Sequence, residues 1–419
     1  MSDHPLARCG LIVGAATLLA SLAAAGGTQI AEPAATVLFD MDTARHQPTM
    51  MGDDKQPIGT VDLVPGKFGG ACRFSFVEGA RSGFFTAGVR ASADWDAAEG
   101  LSFWLQGDGS GNWGGLELID GEDYSLRYGY CFPLDSTEWR KVTVPWCDLV
   151  PELPAGKPVD PHGGYAPSGF GNLWFGKWWY WRDYPAHSFA VDQVALEPKV
   201  PVDRTDYTPT QGGTPKLLAK LTAKQPVTIV TMGDSLSDKQ HWANREVLWS
   251  ELLVAKLREQ FGGEVTLVNP AIGGTQLTQN LVLMPRWLRE TPRPDLVTVW
   301  FGFNDWDSGM RGEHFAEMLR FGVDRIRRMT GGESEVLLLT TCPSIERWDT
   351  MEELAEAVRT VAAEKRTGLA DVSAAFHAAA PDEAARAPLY CSDKTHLGPA
   401  GHELAAETVR AAIARDSGT

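Results

Sequence analysis

Val227-Thr228-Ile229-Val230-Thr231-Met232-Gly233-Asp234-Ser235-Leu236 is the stretch on which the fold turns. Val227 to Thr231 is a short apolar, β-branched run, and the Gly-Asp-Ser that follows is built from turn formers, so the reading is a buried strand ending in a tight bend. Val265 to Val268, Leu296 to Trp300 and Val336 to Thr340 repeat the pattern, each with a longer segment of helical spacing behind it. Val247 to Phe261 is such a helix, with Leu248, Leu252, Ala255 and Leu257 near one face and Gly262-Gly263 as its stop. Repeated strand-helix units predict a parallel sheet covered on both faces, with functional groups on the loops beyond the strands' carboxyl ends.

Upstream the pattern changes. From Lys199 to about Gln225, Pro201, Pro209, Gly212, Gly213 and Pro215 mark a connection (residues 199–225), which separates an α/β domain at 226–419 from residues 37–198. Val37 to Pro198 reads as short extended segments broken by Gly, Asp, Asn and Pro, an all-β sandwich. Leu101, Phe103 and Leu105 alternate with Ser102, Trp104 and Gln106, and Val142, Val144 and Trp146 share a face. Gly109 to Gly114 matches G-x-G-x-x-G, but the strand-like Leu116 to Ile119 follows where a dinucleotide fold needs a helix, so the segment is an ordinary loop. Nine of the 15 Trp lie in this half, Trp174, Trp178, Trp179 and Trp181 among them. Most are expected in the core, while an exposed Trp face is suited to stacking on a sugar ring.

A chain of 419 residues with 43% hydrophobic content has ample material for two cores. The net charge of −16, from 38 basic and 54 acidic residues, is the wrong sign for gripping nucleic acid or an anionic membrane. Arg8 followed by the apolar run Leu11 to Ala25, ending Ala23-Ala24-Ala25, predicts a signal peptide over residues 1–25, a linker over 26–36 and export to the periplasm or exterior without a membrane anchor. Cleavage leaves Cys72, Cys131, Cys147, Cys342 and Cys391, an odd number, of which Cys131 with Cys147 and Cys342 with Cys391 are candidate bridges, with buried thiols as the alternative. Oligomeric state is not legible.

Four loops carry chemistry. Ser235 lies just past the first strand, placed for nucleophilic attack, but Ser237 stands where the G-x-S-x-G elbow has its last Gly, so this is not an α/β-hydrolase elbow. In Asn269-Pro270-Ala271-Ile272-Gly273-Gly274-Thr275, again after a strand, Gly274 lets a backbone N–H approach a substrate oxygen. Asn304, in Gly302-Phe303-Asn304-Asp305, is placed to donate to the same oxygen; a cap or turn is the plainer reading. Asp393-Lys394-Thr395-His396 sets an acid three residues before an imidazole, which it can reach by folding back.

In that order and at those strand ends, the blocks resemble the SGNH/GDSL hydrolase family, from about Val227 to the end of the chain. The resemblance implies a flavodoxin-like three-layer αβα fold, with Ser235 as nucleophile, His396 as base, Asp393 as its acid, and Ser235, Gly274 and Asn304 as the oxyanion hole. It implies no catalytic cofactor. One departure is Thr275, where that family often has an acidic residue.

The first half looks like jelly-roll carbohydrate-binding modules and is similar to the sandwich of complex I assembly factors, on Phe39-Asp40, Gly100 to Trp104 with Gly107-Asp108-Gly109, Glu138 to Lys141 and Val191 to Val194. Such sandwiches often hold a structural calcium, for which Asp40 and Asp192 are the candidate ligands. A sandwich ahead of an SGNH domain resembles family 2 carbohydrate esterases. The resemblance implies an acetylated carbohydrate substrate, with Trp242 and Trp306 flanking the blocks as candidate walls. The rivals are a lipid esterase with a long apolar acyl channel and a glycan-binding protein with an inactive hydrolase domain.

Overall fold

The computed structural model describes residues 34–415 apart from 52–55, 122, 153–155 and 183. The expected signal peptide and most of the linker behind it lie outside the described residues.

The first half is a sandwich of two antiparallel six-stranded sheets. One runs Arg140–Pro145, Gly100–Gln106, His187–Glu197, Gly70–Phe76, Gly59–Pro65, with Thr36–Phe39 also on His187–Glu197. The other runs Val150–Pro151, Asp123–Pro133, Trp113–Asp120, Phe170–Lys177, Gly83–Thr86, Gln47–Pro48. The alternation read in Leu101 to Gln106 holds: Leu101, Phe103 and Leu105 point inward with no exposed surface. They meet a layer of phenylalanines in which Phe103 stands edge-on to Phe132 at 5.1 Å and Phe74 stacks on Phe175 at 5.3 Å.

The second sheet has no wet face over much of its width. Phe84, Trp113 and Cys131 occupy the outward positions, and they are buried in one hydrophobic cluster with Leu277, Leu281, Val282 and Met284 of the Leu277–Leu288 helix. Glu117 and Glu152 are also buried, with Arg127 3.4 Å from the first and 3.7 Å from the second. One guanidinium cannot balance two buried carboxylates, and burial raises Glu117 to about 7 and Glu152 above its ordinary value, against the attraction of Arg127. Between pH 4.5, where an exposed glutamate ionises, and about 7, the unfolded chain releases a proton that the folded one retains, so this group's contribution to stability falls as pH rises. Glu117→Gln should therefore gain stability relative to the parent between pH 5 and pH 7 in urea unfolding; a pH-independent difference would contradict the assignment.

The second half is a five-stranded parallel sheet in the order Val265–Val268, Val227–Gly233, Leu296–Trp300, Glu335–Leu339, Gly368–Ala370. Its strands are apolar runs because both faces are covered. Ile229, Leu296, Trp300 and Leu337 pack with the Trp249–Phe261 and Pro399–Arg415 helices, and Val230, Val297, Val299 and Leu338 pack with Leu277–Leu288 and Gly312–Met329. The order reverses at Val227–Gly233, which lies between the second and third strands, so the loops leaving these three strands open around one crevice.

Part of the stretch read as a connection is a helix, Pro215–Thr222, whose Leu217 and Leu221 are fully buried. Neither candidate disulfide is formed. Cys131 donates to the Val282 carbonyl oxygen at 3.0 Å, Cys391 donates to that of Leu397 at 3.2 Å, and Cys342 lies 4.0 Å from the Tyr390 hydroxyl. Among the described residues, no helix is long and apolar enough to cross a membrane.

Candidate active site

Ser235 follows the Val227–Gly233 strand at the switch point, and the chain bends because the Asp234 carboxylate accepts the Leu236 N–H at 3.0 Å. Asn244 ties down the bend, donating to the carbonyl oxygens of Ser235 at 2.6 Å and Asp238 at 2.7 Å. The Ser235 hydroxyl is thereby turned toward His396, whose Nε2 lies 2.9 Å from Oγ.

His396 sits in a turn whose fold its own sequence explains. Asp393 Oδ1 accepts the N–H groups of Thr395 at 3.1 Å and His396 at 3.0 Å, while Oδ2 lies 2.5 Å from His396 Nδ1. The Cys391 N–H donates to the His396 carbonyl at 2.7 Å, and the Pro399–Arg415 helix follows. Partial burial alone pushes the Asp393 carboxyl up, but the His396 ring and the two N–H groups outweigh it and hold it below the ordinary aspartate value. The ring nitrogen facing Asp393 therefore carries hydrogen, and the one facing Ser235 is left to accept.

Gly274 takes φ 78°, where a side chain is strained, and its neighbour Gly273 donates its N–H to Asp238 Oδ2 at 2.8 Å. Thr275 closes the loop: its hydroxyl donates to the Ile272 carbonyl oxygen at 2.6 Å and accepts from Asn280 at 2.7 Å. Asn304 Nδ2 donates to the Thr275 carbonyl oxygen at 2.9 Å and lies 3.4 Å from Asp234 Oδ2. Gly302, at φ 138°, lets that loop pass Thr341, whose Oγ1 a Cβ would meet at 2.2 Å. Among the described residues the N–H groups of Ser235 and Gly274 have no protein acceptor. They are donors left for a ligand oxygen, and the Asn304 amide, whose contact with Asp234 is long at 3.4 Å, stands beside them. Beside them lies a cavity of about 70 Å³ lined by Ser235, Leu236, Phe303, Asn304, Cys342 and His396.

The expected capping role falls to the next residue. Asp305 is buried and accepts the Leu277 N–H at 3.0 Å, and burial raises its carboxyl to about 7. Of the two candidate aromatic walls, Trp242 is at the site, edge-on to the His396 ring at 5.8 Å. Trp306 does not line the cavity; it packs against the core with the Arg311 guanidinium 3.7 Å over its ring. Asp40 and Asp192, the candidate calcium ligands, both accept backbone N–H groups. Asp192 Oδ2 accepts the N–H groups of Lys67 and Phe68 at 2.7 and 2.9 Å, Asp40 accepts that of Asp42 at 3.2 Å, and among the described residues no three acidic, His or Cys side chains cluster to hold a metal.

Three neighbours of the site carry no motif. His241 stacks on His396 at 4.2 Å. The Arg182 guanidinium, from the sandwich, reaches Asp238 at 2.6 Å, on the same carboxylate oxygen that holds Gly273. Trp179, also from the sandwich, lies against Gly274, 3.5 Å from where a Cβ would stand.

Residues 231–404 match the GDSL-like lipase/acylhydrolase family, and residues 50–162 match the family 11 carbohydrate binding domain. Similar solved structures include the acetylxylan esterase Axe2 from Geobacillus stearothermophilus, 20% identical over 45% of this chain and 94% of that one, with a TM-score of 0.37. A lipase/acylhydrolase from Enterococcus faecalis is 25% identical over 45% and 95%, at 0.38. A family 11 carbohydrate-binding module from Clostridium thermocellum, in complex with a mixed-linked tetrasaccharide, is 16% identical over 39% and 95%, at 0.32. No curated protein matches the chain. The chain thus has an antiparallel sandwich that matches the family 11 carbohydrate binding domain and a parallel α/β domain that matches the GDSL-like lipase/acylhydrolase family.

Proposed function

We propose, from a chain that carries a GDSL-like acylhydrolase domain behind a family 11 carbohydrate binding domain, an exported serine ester hydrolase that removes O-acetyl groups from a polysaccharide or oligosaccharide. The observation that carries the acyl preference is the cavity of about 70 Å³ beside Ser235. Pockets for drug-sized ligands run to roughly 300–1,000 Å³, so a cavity this small favours a short acyl group such as acetyl over a fatty chain.

In this reading His396 Nε2 takes the Ser235 proton as Oγ attacks the acyl carbon, across the 2.9 Å contact. The negative charge on the carbonyl oxygen meets the N–H groups of Ser235 and Gly274 and the Asn304 amide. The carbon–oxygen bond to the sugar then breaks, and the imidazolium returns its proton to the leaving hydroxyl. A water molecule deprotonated by His396 attacks the acetyl-serine, releases acetate and restores the Ser235 hydroxyl. Asp393, 2.5 Å from Nδ1, holds the tautomer and stabilises the imidazolium.

The test is acetate release from acetylated xylan, mannan and pectin beside 4-nitrophenyl esters of increasing chain length. Turnover of an acetylated glycan and of acetyl but not decanoyl esters is expected. Faster cleavage of the decanoyl ester would replace this reading with a lipid esterase, and cleavage of simple esters with no acetate from any glycan would remove the carbohydrate substrate.

A further inference from the structure

The 15 tryptophans divide sharply by exposure. Thirteen are buried or partly buried, and the two that stand out, Trp242 at 52% and Trp179 at 45%, both border the candidate active site. Leaving so large an apolar side chain in water forgoes burial, so two such residues at one crevice call for a ligand. They come from different domains. Trp242 belongs to the loop after Ser235 and faces His396. Trp179 belongs to the sandwich, in the short turn Trp179–Trp181 behind the Phe170–Lys177 strand, and lies over Gly274. Since His396 lies 2.9 Å from the Ser235 hydroxyl and Gly273 adjoins the Ser235 side chain, both indoles border the nucleophile.

The turn that carries Trp179 is anchored on both sides of it. Its flanking residues Trp178, Tyr180 and Trp181 are buried, the Trp181 carbonyl oxygen accepts from Arg286 of the Leu277–Leu288 helix at 3.0 Å, and Arg182 is locked to Asp238 at 2.6 Å. A flat apolar face fixed before the ligand arrives binds without the cost of ordering a mobile side chain.

We infer that Trp179 is a specificity-determining residue of the esterase site, supplied by the sandwich, which with Trp242 forms a split aromatic cradle for the sugar ring bearing the acetyl group. This rests on the glycan deacetylase reading above. A pyranose offers rows of C–H groups to an indole face, whereas a small synthetic ester reaches only Ser235 and the cavity. The sandwich thereby becomes one wall of the active site.

The experiment compares Trp179→Ala and Trp179→Phe with the parent in the full chain, on acetylated xylan and mannan fragments and on 4-nitrophenyl acetate. Trp179→Ala should lose at least about tenfold in kcat/KM on the acetylated fragment, chiefly through KM, keep 4-nitrophenyl acetate turnover within about twofold, and be largely rescued by Trp179→Phe. Equal losses on both substrates would mark a structural residue, and no loss on either would leave the indole without a role; each overturns the proposal. If the parent releases no acetate from either fragment but cleaves the simple ester, the deacetylase reading has failed and the cradle goes with it, a result read on the parent alone.

Discussion

Ser235→Ala and His396→Ala should each abolish ester cleavage, by at least about 10⁴-fold in kcat, with circular dichroism and unfolding midpoint unchanged. The size of the loss follows from geometry. The hydroxyl that attacks and the imidazole that takes its proton are 2.9 Å apart, and either alone is a weak catalyst at neutral pH. Both side chains are at the mouth of a crevice and not in the packed core, so their removal opens no large cavity. Turnover of 4-nitrophenyl acetate checks it, and a Ser235→Ala protein with full activity would end the nucleophile assignment. The second imidazole, His241 at 4.2 Å, gives a specific way to be wrong about the base. If His396→Ala were to lose less than about tenfold while His241→Ala were inactive, the proton acceptor would have to be reassigned.

Asn304→Ala should lower kcat by about 10² to 10³, the usual effect of losing one oxyanion donor, with KM little changed. The amide is held by its bond to the Thr275 carbonyl oxygen at 2.9 Å, and its longer 3.4 Å contact with Asp234 is the one a ligand oxygen would replace. That donor acts on an oxygen that becomes negative only during reaction, so its loss falls on the chemical step. A variant whose KM rose with kcat intact would show that Asn304 holds the ground-state substrate.

The α/β half was largely legible because a strand buried on both faces must be apolar along its length. Val265–Val268 and Leu296–Trp300 stand where the apolar runs put them. Gly368–Ala370 left no such trace, being three residues long on a sheet edge. The loops of the candidate site were readable because Ser235, Gly274 and Asn304 each follow a strand in a segment of their own, while Asp393 and His396 share one short segment before the last helix. Arg182 and Trp179 were not, since their partners Asp238 and Gly274 lie in the other domain and only folding brings them together. Cysteine spacing misled for a related reason: separation along the chain says nothing of where a thiol points, and Cys131 points at the Leu277–Leu288 helix. The covered second sheet was hidden too, because alternation distinguishes two faces and does not say what lies beyond the outer one.

The cluster in which Phe84, Trp113 and Cys131 meet Leu277, Leu281 and Met284 has an implication for how such a protein can be altered. Grafting a foreign glycan-recognition module in place of the first half would strip an oily slab from the catalytic half and remove the arginine that braces its second loop. The two halves are thus expected to unfold as one unit and to resist exchange as separate modules.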